Sequence, residues 1–194
     1  VGASRTLIIL AGGQSRRMGR DKAHLPTGAG TLLERIVERL SPVVDEVVVA
    51  GGPRLSIPAV SWVPDARSGA GPLAGMAAGL AALSGILAWV VACDLPDVEP
   101  AVGELLFDLA PDVDAVVPRL DGRPECLCAV YHASLAGRIL TMLDAGDRRV
   151  TSLLDGIRVR YVEAAELRRV DPELRSFRNL NTPEEYQGWV TSLR

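Results

Sequence analysis

A clustered basic excess is missing from this chain. The formal net charge is −3, so the electrostatic footprint that nucleic-acid binding usually requires is excluded. Long apolar runs are missing too, and none approaches the roughly 18 residues that suggest a membrane span. The opening VGASRTLIILAGG has too short an apolar stretch for a signal peptide, and no cleavage site follows it. Cysteine is sparse. Cys93, Cys126 and Cys128 form an odd set with one C-x-C pair, neither a disulfide framework nor a zinc pattern. They read as reduced thiols of a cytoplasmic protein. On a strand, Cys126 and Cys128 share one face, and core packing is their expected role because a free cysteine behaves as a small hydrophobe. His24 and His132 are the only histidines, and neither is assigned a catalytic role. No Ser-His-Asp or Cys-His arrangement is visible. Neither a repeat, nor a low-complexity tract, nor a linker divides the chain, so one domain with a sizeable core is expected over residues 1–194.

What is present alternates between two periods. TLIIL (6–10), DEVVVAG (45–51), AVSWVP (59–64), GILAWVVACDLP (85–96), DAVVP (114–118), ECLCAVY (125–131) and IRVRYVE (157–163) read as strands. The stretch 85–96 is the most apolar, hence central. Between them, TLLERIVERL (31–40), GPLAGMAAGLAAL (71–83), VGELLFDLA (102–110), SLAGRILTMLDAG (134–146) and TPEEYQGWVTSL (182–193) read as helices. Thr31 is an expected N-cap and Gly146 an expected stop. Thr182, Pro183 and Glu185 supply cap, N1 proline and capping-box glutamate together. The order is βαβ, repeated. It predicts an α/β fold of three layers: a mainly parallel sheet covered on both faces, with an antiparallel strand inserted in the less regular second half.

The chemistry concentrates straight after the first strand, in LAGGQSRRMGRDKAHLP (10–26). In an open parallel sheet, ligands bind beyond the carboxyl ends of the strands. Gly12 and Gly13 allow close approach of a ligand to the backbone, and their N–H groups can cradle phosphate oxygens. Arg16, Arg17, Arg20 and Lys22 add positive charge at the same point. The loop is a polyphosphate site by chemistry. It is not a Walker A loop, because Arg20 and Asp21 separate Gly19 from Lys22 and Ala23 follows the lysine. GAGPLA (69–74) fits the dinucleotide fingerprint only weakly, since it follows no strong strand. Asp94 stands at the carboxyl end of the central strand, on the same edge as the loop, where Mg²⁺ bound to a nucleotide favours carboxylate oxygens. Asp65 follows another strand end, where an ordinary Pro-Asp turn is the alternative. Asp97 and Glu99 read as bulk charge. Asn179 and Asn181, two apart, point their amides the same way on an extended segment. Spacing leaves Arg148 and Arg149 open between a ligand contact and a surface pair.

The loop LAGGQSRRMGRDKAHL resembles the N-terminal signature of the bacterial molybdenum cofactor guanylyltransferases, a MobA-like nucleotidyltransferase family. GPLAGMAAGL (71–80), CDLP (93–96) and NLNTPEEY (179–186) match in the same order. RPECLCAVY (123–131) and DAGDRRV (144–150) resemble that family's substrate-side half, with Cys126 standing where relatives often carry proline or threonine. The resemblance implies a Rossmann-like nucleotidyltransferase fold, with a nucleotide-binding half over about 1–100 and an acceptor-binding half over about 101–194. It implies transfer of GMP from GTP to the terminal phosphate of molybdenum-molybdopterin, with release of pyrophosphate. Leu10, Ala11, Gly12, Gly13, Lys22, Asp65 and Asp94 are implied to bind nucleotide. Lys22, Arg17 and Asp94 are implied to be catalytic, with Asp94 holding Mg²⁺ or Mn²⁺. Asn179, Asn181 and Arg148 are implied on the acceptor side. The implied partners beyond these substrates are molybdenum-insertion and molybdoenzyme chaperone proteins, and the implied state is a cytoplasmic monomer without nucleic acid or membrane. A cytidylyltransferase for the same pterin, a guanylyltransferase for a phospholactate-type acceptor, and a nucleotide-binding adaptor without chemistry are the alternatives.

Overall fold

The computed structural model of the protein describes residues 4–12, 22–52 and 54–193. Its framework is one mixed sheet. β1 (Arg5–Leu10), β2 (Glu46–Ala50), β3 (Val60–Val63), β4 (Leu87–Ala92), β5 (Ala115–Leu120), β6 (Arg123–Pro124), β7 (Cys128–His132) and β8 (Val159–Glu163) run in the order β3-β2-β1-β4-β7-β5-β6, with β8 on β5. β1, β2, β3 and β4 pair in parallel. β7 is the expected antiparallel insertion, paired against both β4 and β5. β6 is a two-residue return on β5 that carries too little pattern to be read from sequence.

Both faces of the sheet are covered. β1 alternates, as a doubly buried strand must. Leu7 and Ile9 face one core, and Ile8 and Leu10 face the other. The first core is closed by α1 (Leu32–Leu40), α3 (Pro100–Asp108), α5 (Ala164–Leu167) and α6 (Pro183–Ser192). The second is closed by α2 (Pro72–Ala81) and α4 (Leu135–Asp144). No helix among the described residues is long and apolar enough to cross a membrane.

The helix signals act as their chemistry requires. Thr31 and Thr182 each accept from the backbone N–H three residues on, and Glu34 and Glu185 complete both capping boxes. α4 ends in a Schellman turn, with the Gly146 N–H on Leu143 O and the Asp147 N–H on Met142 O. Gly146 has φ +81° there, a conformation that favours glycine.

One expectation is corrected. Cys126 and Cys128 do not share a face: Cys126 lies in the α2–α4 core and Cys128 in the opposite one. The cause is a turn, closed by the Cys128 N–H on Glu125 O, which delays the strand until Cys128. Core packing itself holds, since all three cysteines are buried thiols outside any disulfide. Burial pushes the Cys126 thiol up to about 11 and the Cys128 thiol up to about 12.

Candidate functional site

The registers bring the chemistry to one edge. Leu10 lies level with Ala50 on one side and Ala92 on the other, so the chain leaves all three strands at the same height. Residues 11–12, 51–52 and 93–94 therefore share the carboxyl edge of the sheet. Two hydrogen bonds extend the pairing past the strand ends: the Ala11 N–H donates to Ala50 O at 2.9 Å, and the Cys93 N–H to Leu10 O at 3.1 Å.

Lys22, in the short 3₁₀ turn 22–24, directs its ammonium to this edge. Its Nζ lies 3.0 Å from Asp94 Oδ2 and 3.0 Å from Asn181 Oδ1. Residues far apart in sequence thus meet at a single point. The two ion-paired side chains are only 14% and 23% exposed, which shields the pair from bulk water. The 178–183 segment reaches them by a backbone bond, the Leu180 N–H to Asp94 O at 2.9 Å. Leu180 is buried between exposed Asn179 and Asn181, as an extended segment with period 2 requires. Glu185 fixes the end of that segment: its Oε2 accepts from the N–H groups of Asn181 at 2.6 Å and Thr182 at 3.0 Å. Those two bonds hold its carboxyl below the usual range. Tyr186 OH donates to Pro26 O, tying α6 to the chain just beyond Lys22.

Asp94 and Asn181 present two oxygens to one cation, here an ammonium. Among the described residues, no group of three or more His, Cys, Asp or Glu gathers as a metal cage. One carboxylate and one amide oxygen suit Mg²⁺, which keeps waters and takes substrate phosphates as further ligands.

Beside this point lies a shelf without side chains. Gly51, at φ +73°, is so close to Asp65 that a Cβ would stand 2.6 Å from its Oδ1 and 2.9 Å from Gly12 Cα. A Cβ on Gly52 would meet Ala11 O at 2.6 Å. The ends of β1 and β2 are thus bare backbone, with the Asp65 carboxylate packed against them. Burial raises the Asp65 pKa, and no donor among the described residues offsets it.

The sequence-derived residues divide accordingly. Lys22, Asp94 and Asn181 meet. Leu10, Ala11, Gly12 and Asp65 line the adjoining shelf. Arg148 stands apart from Lys22, donating to Gly69 O at 3.3 Å in the loop before α2. Asn179 is exposed on the 178–183 segment. Gly13, Arg16, Arg17, Arg20 and Asp21 lie outside the described residues. Asp97 and Glu99 prove structural: Asp97 accepts from Trp189 Nε1 at 2.9 Å, and Glu99 pairs with Arg39 at 2.6 Å. The backbone link from Leu180 to Asp94 and the second acceptance by Glu185 were not foreseen. The NLNTPEE stretch signals the cap, but nothing local signals what the cap holds in place.

Known proteins are similar to this chain over nearly its whole length. A protein from Methanosarcina mazei named "Probable molybdenum cofactor guanylyltransferase" is 36% identical over 96% of this chain and 90% of its own length. One of the same name from Mycobacterium avium is 39% identical over 93% of this chain and 92% of its own. The similarity therefore extends to archaea as well as bacteria. The crystal structure of molybdopterin-guanine dinucleotide biosynthesis protein A from Archaeoglobus fulgidus superposes with a TM-score of 0.84 at 29% identity, covering 97% of this chain and 100% of that one. Residues 7–164, which carry most of β1, the glycine shelf and Asp94, match the MobA-like NTP transferase domain, and the chain belongs to that family.

Proposed function

We propose that this nucleotidyltransferase moves the GMP unit of GTP onto the terminal phosphate of molybdopterin carrying molybdenum. The observation that carries this reading is the meeting of Lys22, Asp94 and Asn181 at 3.0 Å beside a side-chain-free shelf. The names of the relatives supply the acceptor class.

An oxygen of the acceptor phosphate attacks the α-phosphorus of GTP. The bond from that phosphorus to the bridging β-oxygen breaks, and pyrophosphate leaves. The nucleophile is already anionic at neutral pH, so positioning and charge neutralisation carry the catalysis rather than a strong base. Lys22 supplies a compact positive charge for the phosphates. Asp94 and Asn181 are the residues that would hold Mg²⁺. When bound, such an ion neutralises phosphate charge and orients the leaving group. Gly12 and Gly51 let the nucleoside approach the backbone, and Asp65 is the partner for guanosine. Arg17 and Gly13 add charge and N–H donors to the phosphates. Asn179 and Arg148 serve the acceptor. The nucleotide thus occupies the half before about residue 100 and the pterin the half after it. The chain works as a monomer, exchanging pterin with molybdenum-insertion and molybdoenzyme chaperone proteins.

The test is calorimetry of GTP, CTP, ATP and UTP, each with Mg²⁺, followed by dinucleotide formation from GTP and molybdopterin. Preference for GTP, lost together with turnover in Asp94→Ala, is the expected result. Preference for CTP would move the assignment to the cytidylyltransferase. GTP binding that survives Asp94→Ala without any turnover in the parent chain would indicate an adaptor.

A further inference from the structure

Glu125 has no role in the account so far. It stands on the turn between β6 and β7, and its backbone is pinned on both sides. Its N–H donates to Pro118 O at 2.8 Å, and its carbonyl accepts from the Cys128 N–H at 3.2 Å. The turn is braced from beneath by the buried Tyr131 OH, which donates to Cys126 O at 2.9 Å. The side chain is half-buried, yet no donor among the described residues meets its carboxylate. Burial pushes its pKa up, and nothing among the described residues opposes that shift. Three other carboxylates are satisfied: Asp114, Asp147 and Glu185 each accept from backbone N–H groups. A partly desolvated carboxylate without a donor is costly, and a rigid turn that keeps it so invites a ligand with donors.

The position is specific. Because β7 runs antiparallel to β4, its first residues arrive at the carboxyl edge of the sheet. The Ala92 N–H donates to Leu127 O at 2.9 Å, so the turn that carries Glu125 enters β7 level with the end of β4, two residues before Asp94. Asp65 lies beyond β3 at the other end of the same edge, and is likewise partly buried with no donor among the described residues. Among the described residues, the edge therefore runs from one carboxylate without a donor, through the Lys22–Asp94–Asn181 point, to a second.

The two substrates proposed above share one chemical feature. Guanine and a pterin both contain a 2-amino-4-oxo-pyrimidine ring, whose ring N–H and exocyclic amine form two parallel donors. A carboxylate meets such a pair with both oxygens, as it meets an arginine. Adenine and cytosine offer an acceptor at the corresponding ring nitrogen. We propose that Glu125 recognises the 2-amino-4-oxo edge of the pterin acceptor, on the far side of the phosphates from the guanine site. This rests on the pterin reading of the acceptor.

The test uses two fluorescent probes, 6-hydroxymethylpterin and 6-hydroxymethyllumazine, titrated with saturating GTP and Mg²⁺. The lumazine replaces the 2-amino group by a carbonyl, which would face the carboxylate with an oxygen. The parent chain is expected to bind the pterin at least about tenfold more tightly, the scale of one charge-assisted hydrogen bond in a partly exposed site. Glu125→Gln keeps the shape but replaces one oxygen by a donor. It should abolish or reverse the preference while leaving GTP affinity intact, and the variant should melt no lower than the parent. Retained preference in Glu125→Gln would overturn the assignment, as would a parent chain that does not discriminate between the probes. The second result needs no variant, so a misfolded mutant cannot hide it. Formation of dinucleotide from GTP and molybdopterin by the parent chain reports separately on the function itself. If it proceeds with an acceptor KM unaffected by Glu125→Gln, Glu125 is excluded and the guanylyltransferase reading stands.

Discussion

Asp94→Asn separates the two duties that the Lys22–Asp94 pair can have. The charges stand 3.0 Å apart, which corresponds to about 1.4 kcal/mol at the dielectric of water and ~5.5 kcal/mol at an effective value of 20. Both side chains keep some contact with water, 14% and 23% of their surface. Desolvation and side-chain ordering then offset most of the attraction, leaving a net contribution of about 0.5–1.5 kcal/mol. Asparagine preserves shape and one acceptor for Lys22 Nζ. For a domain of this size each kcal/mol shifts the midpoint by about 2–4 °C, so thermal unfolding should fall by roughly 1–6 °C. Catalysis should suffer far more. Removing a preorganised charge from a phosphoryl-transfer site typically costs ~10²–10³ in kcat. The assays are a calorimetric melt and steady-state dinucleotide formation on the same preparation. A midpoint lowered by more than about 10 °C with kcat/KM nearly unchanged would make the pair a structural strut and refute its role in phosphate chemistry.

Other outcomes follow from the same structure. Burial raises the Asp65 pKa above its ordinary 3.8, so the folded chain holds that proton more tightly, and stability is lost as pH climbs through the raised value. Asp65→Asn should therefore melt higher than the parent at neutral pH, with the gain fading in acid, and should bind GTP more weakly; a gain independent of pH would contradict the argument. Gly103 packs on Trp89 so closely that a Cβ would meet ring carbons at 2.3–2.7 Å, so Gly103→Ala should cost about 1–3 kcal/mol or more in denaturant melts. Gly137 is exposed within α4 with nothing near its Cβ direction, and Gly137→Ala should stabilise by up to ~1 kcal/mol; the same sign for both would undo the packing argument. With their thiols raised to about 11 and about 12, Cys126 and Cys128 should resist iodoacetamide in the native chain at pH 8, while peptide mapping after denaturation should find both alkylated.

Much of the fold was legible because it depends on local pattern. Leu7, Ile8, Ile9 and Leu10 announce a strand buried on both faces, and Thr182, Pro183 and Glu185 announce a helix start. Placement of Asp94 on the loop's edge followed from a strand ending in aspartate. The failures lie where geometry is not local. A single turn at Glu125 sent Cys126 and Cys128 to opposite cores. The bonds from Lys22 to Asn181 and from Leu180 to Asp94 join segments with no shared periodicity. Only the registers of β1, β2 and β4 determine that their ends align. The partial burial of the Asp65 and Glu125 carboxylates was invisible for the same reason, because it is a property of the packed neighbourhood and has no sequence signature.

The 159-residue separation between Lys22 and Asn181 bears on biosynthesis. Translation delivers the lysine and Asp94 long before the amide. A nascent chain can pair β1, β2 and β4 while one of the two oxygens is still inside the ribosome. The meeting of Lys22, Asp94 and Asn181 is thus incomplete until α6 emerges and Tyr186 docks beside Pro26. A ribosome that stalls late would release a chain with a formed sheet but an incomplete centre.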